Sequence, residues 1–146
     1  MKGGSLKGDM VFDTSIIIEM SLATTYGKEL IKSIIREEII PYTTMFNITE
    51  AKYILCRILG IDESLKRIGL ILDSNYFTIV NTDTLSDLVS ICKCRFPISL
   101  ADCYTLSLAK KMSLPVLFYK LEKEFRPIVQ ELRNWTNSEI LFLVED

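Results

Sequence analysis

A chain of 146 residues is long enough to bury a real core and is most simply one domain. Its hydrophobic content of 49% and mean hydropathy of +0.25 are high for a water-facing domain, yet charges interrupt every apolar run, so no stretch reaches the ~18 apolar residues of a membrane-spanning helix. A formal net charge of −2 excludes a global basic field for nucleic acid, and the lack of histidine excludes imidazole metal sites, Ser-His or Cys-His nucleophile pairs and histidine general bases.

Residues 1–9 (Met-Lys-Gly-Gly-Ser-Leu-Lys-Gly-Asp) are too glycine-rich to form an element and are expected to be a flexible leader, with the domain spanning 10–146. The leader has no apolar stretch behind its lysine, so no signal peptide is expected. Met10-Val11-Phe12 then stops on Asp13-Thr14-Ser15, which reads as a short buried strand with an acid at its carboxyl end. Helical character follows at Ile16–Met20 and Tyr26–Glu38, where Leu30, Ile31, Ile34 and Ile35 make a buried face. Ile39–Thr43 is a second, β-branched strand.

A long helix is predicted from about Thr44 to Leu59, with Ile48, Ala51, Leu55 and Ile58 as its core stripe and Gly60 as its stop. Asp62 is the expected cap of the next helix, which carries Leu65, Ile68, Gly69 and Leu72 and ends near Asn75. Phe77–Val80 is a third strand. Thr82 or Asp83 should cap a helix through Leu85, Leu88, Val89 and Cys92 that runs out before Phe96-Pro97. Ser99–Met112 is apolar or small on nearly every face, the mark of a helix buried against the middle of a sheet. Pro115–Phe118 is a fourth strand, Glu122–Trp135 a mixed helix and Ile140–Val144 a last strand. Strands alternating with helices throughout predict an α/β domain, with a mainly parallel central sheet and helices on both faces.

Acids stand at the places where such a sheet binds ligands. Asp13, at a strand's carboxyl end, is also a good N-cap for the helix behind it. Glu50 has Phe46, Tyr53 and Ile54 around it on its helix and no Lys or Arg three or four residues away, which places it at a cleft edge or a partner surface. Ser99-Leu100-Ala101-Asp102 has the spacing of a capping box, and Leu106 and Ala109 continue the Asp102 face toward the buried side. Glu122, with Glu124 close behind, opens the helix after the fourth strand, where an acid also suits the helix dipole. In a parallel sheet all of these fall at one edge. Carboxylates gathered there without basic partners repel one another unless a divalent cation neutralises them.

The ordered set resembles the PIN-domain ribonucleases, specifically the toxin of VapBC-type toxin–antitoxin pairs. Met10-Val11-Phe12-Asp13-Thr14-Ser15 is similar to the opening strand with its first acid, and Asn47-Ile48-Thr49-Glu50 to the helix with the second. Ile98-Ser99-Leu100-Ala101-Asp102, continued by Thr105 and Leu106-Ser107-Leu108-Ala109, is the most specific match. The resemblance covers Met10 to about Val144. It departs at the fourth position, where Phe118-Tyr119-Lys120-Leu121-Glu122 stands in place of the common Thr-x-Asp. The resemblance implies a PIN-like fold and a Mg²⁺- or Mn²⁺-dependent endoribonuclease acting on single-stranded RNA or on a tRNA or rRNA loop. Asp13, Glu50, Asp102 and Glu122 would be its catalytic acids, and Asp13, Glu50 and Asp102 would hold the metal, directly or through water. Thr14, Ser15 and Ser99 would orient metal waters or the scissile phosphate. A cognate antitoxin, a homodimer and a cytoplasmic location without membrane attachment are implied as well.

A catalytically degenerate PIN-fold binding or regulatory module is the rival reading, supported by the altered fourth position. Two other acidic α/β folds fit less well. A haloacid-dehalogenase-type phosphatase needs a second Asp where Ser15 stands, and a response regulator would have only Asp83 to accept its phosphoryl group. Cys56, Cys92, Cys94 and Cys103 include no C-x-x-C pair and read as reduced thiols packed as small hydrophobes. Lys93/Arg95, Lys110/Lys111 and Lys120/Lys123/Arg126 are local basic clusters, best read as solvated faces or helix ends. The apolar surplus points to a subunit interface or a partner groove, formed partly by the Thr44–Leu59 and Asp62–Ser74 helices.

Overall fold

The first apolar run becomes the central strand of the molecule. The computed structural model describes residues 6–144, and its strands are β1 (Gly8–Phe12), β2 (Ile39–Thr44), β3 (Thr78–Val80), β4 (Val116–Lys120) and β5 (Ile140–Val144). They form a fully parallel sheet in the order β3-β2-β1-β4-β5. Val11 lies opposite Tyr42 on one side and Val116 on the other, while Phe12 pairs with Leu117. The chain first winds outward from β1 to β3 and then returns to the other side of β1. The crevice at the carboxyl ends of β1 and β4 is therefore the topological switch point, where open α/β sheets bind ligands.

Strand alternation sorts the core onto two faces. Met10, Phe12, Ile39 and Leu117 pack with Ile16, Met20, Leu30 and Ile34 from α1 (Thr14–Ser21) and α2 (Thr25–Ile35). Val11, Val116, Phe118 and Ile140 point the other way, onto α5 (Ser86–Arg95), α6 (Leu100–Met112) and α7 (Val129–Thr136). As its all-round apolar sequence requires, α6 buries Ala101, Cys103, Thr105, Leu106, Ser107, Leu108 and Ala109. A third cluster joins Ile17 to Ile48, Ala51, Leu55 and Ile68 of α3 (Met45–Leu59) and α4 (Ile61–Asp73). Each fully buried Leu or Ile of this kind contributes about 1.5–3 kcal/mol. The turn between α1 and α2 is so tight that a Cβ on Gly27 would stand 2.1 Å from the Glu19 carbonyl oxygen, so only glycine fits there.

Several boundaries differ from the sequence reading. β1 begins at Gly8, pairing with Ile39, and Leu6 is buried ahead of it, while residues 7–9 are exposed and 1–5 lie outside the described residues. The Glu122–Trp135 helix shortens to Val129–Thr136, with turns over 123–128. Pro127 disfavours helical backbone at Arg126 and lacks a donor, which delays the helix. Gly60, at φ 88°, joins α3 to α4 with no side-chain cap, and Asp62 falls in the first turn instead. Asn81 caps a 3-10 turn (Thr82–Leu85) ahead of α5, where Thr82 or Asp83 was expected. Ile35, Ile58 and Leu65 are exposed, because α2 and the α3–α4 pair face water on those sides. Cys92 and Cys103 are buried, Cys56 is half-buried and Cys94 is exposed, all as free thiols. Among the described residues no helix is long and apolar enough to cross a membrane.

Candidate active site

Three helices begin at the switch point, and each carries an acid there. β1 ends on Asp13, which is the N-cap of α1 and accepts a hydrogen bond from Ser15 N at 3.0 Å through Oδ2. Thr44 at the end of β2 caps α3, and Glu50 follows in its second turn. Ser99 caps α6 by accepting from Asp102 N at 3.0 Å, so Asp102 sits in the first turn. The capping reading and the site reading describe one geometry: Asp13 and Thr44 cap at strand-to-helix junctions, and Ser99 caps α6 directly after α5.

A buried polar network ties the three junctions together. The Thr105 hydroxyl, one turn beyond Asp102 on α6, donates to Asp13 Oδ1 at 2.8 Å. Asn47, at 1% exposure, donates through Nδ2 to Thr14 Oγ1 at 2.9 Å and to Thr105 Oγ1 at 2.8 Å. Its Oδ1 accepts from the Thr44 hydroxyl. Thr14 in turn hydrogen-bonds the Glu50 carboxylate, as Tyr53 does. Glu50 borders a cleft of about 270 Å³ lined by Phe46, Thr49, Tyr53, Ser99, Leu100 and Ala101, which agrees with the apolar surroundings in its sequence.

The electrostatics are those of acids held too close. Asp13, at 6% exposure, is raised above its ordinary value by burial, against the lowering effect of hydrogen bonds from Ser15 and Thr105. Burial also raises Glu50, and the charge of Asp13 adds to it. Asp102 is pushed up to about 7 by burial first, then by the charges of Asp13 and Glu50. Among the described residues, no lysine or arginine acts on these three carboxylates.

Asp13, Glu50 and Asp102 therefore share one electrostatic site. Glu122 does not act on them. It stands exposed in the turn after β4, where its carbonyl caps the Phe125 and Arg126 amides, and Glu124 is exposed beside it. Thr14 is buried between Asn47 and Glu50. The Ser15 hydroxyl accepts from Tyr119 N at 3.0 Å, locking α1 to β4, and also bonds Asp13. Ser99 serves both the α6 amide and the Asp102 carboxylate. Sequence reasoning gave no role to Asn47 or Thr105. The available signal was spacing, since each lies one helical turn from an acid, at Glu50 minus three and Asp102 plus three.

Hard oxygen donors and an uncompensated negative charge fit Mg²⁺ or Mn²⁺. Among the described residues, no three Asp, Glu or Cys side chains are gathered tightly enough to hold an ion directly. That spacing fits a hydrated cation, as Mg²⁺ keeps several waters and takes only one or two carboxylates. The basic clusters are engaged elsewhere: Lys93, Lys110 and Lys111 lie in helix last turns and donate to the carbonyls of Ile98, Trp135 and Thr84.

No protein-family model and no curated protein sequence matches the chain. Solved structures do match its fold. The toxin VapC20 of Mycobacterium tuberculosis, described as cleaving the sarcin–ricin loop, superposes with a TM-score of 0.61 at 13% identity, over 73% of this chain and 86% of that one. VapBC2 of Rickettsia felis, solved on a DNA fragment from its promoter, gives 0.63 at 12% identity, over 94% and 98%. A toxin–antitoxin complex from Klebsiella pneumoniae gives 0.57 at 15% identity, over 82% and 92%. The chain thus has the PIN-like α/β fold of VapC-type toxins.

Proposed function

We propose that this protein is a metal-dependent endoribonuclease that cleaves single-stranded RNA, and that it is the toxin of a toxin–antitoxin pair. The observation that carries the reading is the set of three carboxylates, Asp13, Glu50 and Asp102, at the switch point, each raised in pKa and none acted on by a lysine or arginine among the described residues. Asp13, Glu50 and Asp102 would hold Mg²⁺ or Mn²⁺ there, directly or through water. When bound, the ion supplies a water of lowered pKa and stabilises charge on the phosphodiester oxygens. The chain's own part is to fix the carboxylates and to offset part of what burial costs their charged forms. Thr14 and Thr105 hydroxyls donate to Glu50 and Asp13, and the cleft beside Glu50 offers Phe46, Tyr53 and Leu100 as an apolar wall for an unpaired base.

The toxin assignment draws support from toxin–antitoxin assemblies of the same fold. An antitoxin segment needs an apolar seat, and one exists as a cleft of about 240 Å³ lined by Met20, Ile31, Ile34, Leu70, Ile71 and Phe77. Its walls are α4 and α2 rather than α4 and α3, which pack directly on one another through Ile48, Leu55 and Ile68.

The test is cleavage of single-stranded RNA by purified protein with Mg²⁺ or Mn²⁺. Activity should vanish in EDTA and in both Asp13→Asn and Asp102→Asn, which remove a charge and keep the shape. Full cleavage by both variants would falsify the site, and full cleavage in EDTA would remove the metal from the mechanism.

A further inference from the structure

The amide of Asn47 stands where the three junction helices meet, and its orientation is determined by its neighbours. Oδ1 accepts from the Thr44 hydroxyl, whose oxygen in turn accepts from Asn47 N at 3.1 Å. Nδ2 then faces two hydroxyls, Thr14 Oγ1 and Thr105 Oγ1, with one hydrogen for each. A hydroxyl that accepts from Asn47 must turn its own hydrogen elsewhere. For Thr105 the choices are Asp13 Oδ1 at 2.8 Å and Ala101 O at 3.1 Å, and the shorter bond to a charged acceptor is the stronger one. For Thr14 the acceptor in reach is the Asn47 carbonyl at 3.4 Å, and the same hydroxyl favours the charged form of Glu50. Flipping the amide would make both threonines donate to Asn47, leaving Asp13 Oδ1 buried without its donor.

We propose that Asn47 is a positioning residue of this site: it commits its amide hydrogens to Thr14 and Thr105, turns the Thr105 hydroxyl onto Asp13, and thereby fixes Asp13 for binding a divalent cation. The inference rests on the metal-dependent reading above and deepens it, because it assigns the alignment of an acid at the end of β1 to a side chain of α3 acting through a hydroxyl of α6. It also explains why a fully buried Asn and Thr are kept among apolar neighbours, where an unpaired polar group is costly.

Mn²⁺ affinity by calorimetry, together with kcat and KM on single-stranded RNA, tests it in four variants. Asn47→Ala and Thr105→Val should each weaken Mn²⁺ binding and lower kcat by about 10–100-fold, the usual cost of losing a group that orients a metal-binding side chain, with KM little changed. Thr105→Ser, which keeps the hydroxyl, should restore most of both. Asn47→Ala combined with Thr105→Val should be no worse than Asn47→Ala alone, because the amide acts through the hydroxyl. A merely structural Asn47 would lower the melting temperature and leave the Mn²⁺ affinity of the folded variants as in the wild type, which overturns the proposal. So does failure of Thr105→Ser to rescue, or a double variant whose losses multiply. If Asn47→Ala does not fold, the Thr105→Val and Thr105→Ser pair decides on its own, since these differ by one hydroxyl and nearly keep shape. A wild-type protein that neither binds Mn²⁺ nor cleaves RNA overturns the ribonuclease reading itself, whereas wild-type function with unaffected variants overturns only the role of Asn47.

Discussion

Replacing Asp102 by Asn should stabilise the metal-free protein, and increasingly so as the pH rises from about 3.8 to about 7. Burial and the charges of Asp13 and Glu50 push its carboxyl from an ordinary 3.8 to about 7. The sign follows from proton uptake. Between about 3.8 and about 7 the folded chain holds a proton at Asp102 that the unfolded chain has released, so this group's contribution to stability is full below about 3.8, declines as the pH rises and is lost above about 7. Displacing a carboxyl pKa by one costs its charged form about 1.36 kcal/mol, so a displacement of roughly three amounts to about 4 kcal/mol. Asp102 is not sealed from water, and screening leaves on the order of 2 kcal/mol.

Asn keeps the size of the side chain and the Ser99 contact but never ionises. At pH 5, little more than a third of the way from about 3.8 to about 7, the variant should melt only slightly above the wild type. At pH 8.5 in EDTA the variant should melt about 4–8 °C higher, the change that ~2 kcal/mol produces in a chain of this size. Mn²⁺ should then raise the wild type and leave the variant nearly where it was, closing the gap, because a bound ion stabilises only the state that binds it. A gap of equal size at pH 5 and pH 8.5 would refute the reasoning, since a packing or capping effect does not depend on the Asp102 proton.

Asp13→Asn should be milder, a gain on the order of 1 kcal/mol in EDTA at pH 8. Asn caps a helix about as well as Asp, and Thr105 can redirect its hydrogen to Ala101 O at 3.1 Å; a clear loss of stability would show that the two Asp13 hydrogen bonds outweigh the crowding. Gly27→Ala should cost about 1–3 kcal/mol in urea denaturation, because its Cβ would press on the Glu19 carbonyl, and an unchanged midpoint would mean α1 and α2 are not so close. Tyr53, Ile58, Ile61, Leu65 and Leu70 leave large apolar surface exposed on α3 and α4, so light scattering should find self-association, and a monomer at high concentration would count against it.

The strands and the long helices were legible because their signals are local. Met10-Val11-Phe12 and Ile140–Val144 are short apolar runs bounded by polar residues, and Thr44 and Gly60 bracket α3 at the expected places. Asp13, Glu50 and Asp102 could be picked out because acids without basic neighbours are conspicuous in an apolar sequence. What depends on tertiary packing could not be read. Ile58 and Leu65 have the right period for a core stripe, yet the α3–α4 pair buries only one face of each helix. Leu6 and Gly8 lie in a glycine-rich leader, yet Leu6 joins the core and Gly8 the sheet, because Ile39 supplies a pairing edge that no local window reveals. Asn47 and Thr105 belong to helices 58 residues apart in sequence, and only the fold brings them to hydrogen-bonding distance.

How the molecule tolerates a buried and two half-buried carboxylates with no lysine or arginine among the described residues acting on them follows from the same junctions. Like charges sharing a partly buried site repel one another, and something must offset that repulsion. The offset comes from the backbone. α1, α3 and α6 all begin at the carboxyl edge, so their first-turn N–H groups and dipole ends point at the acids, each contributing about 0.3–1 kcal/mol and up to ~2 where partly buried. Asp13 receives the most, as N-cap of α1 with the Thr105 hydroxyl on its other oxygen. Asp102, in the first turn of α6, is still left at about 7, so the helix ends and hydroxyls do not fully neutralise the cluster. The charge that remains is the part a divalent cation would cancel, and it resides on the acids that three separate helices deliver to the mouth of the crevice.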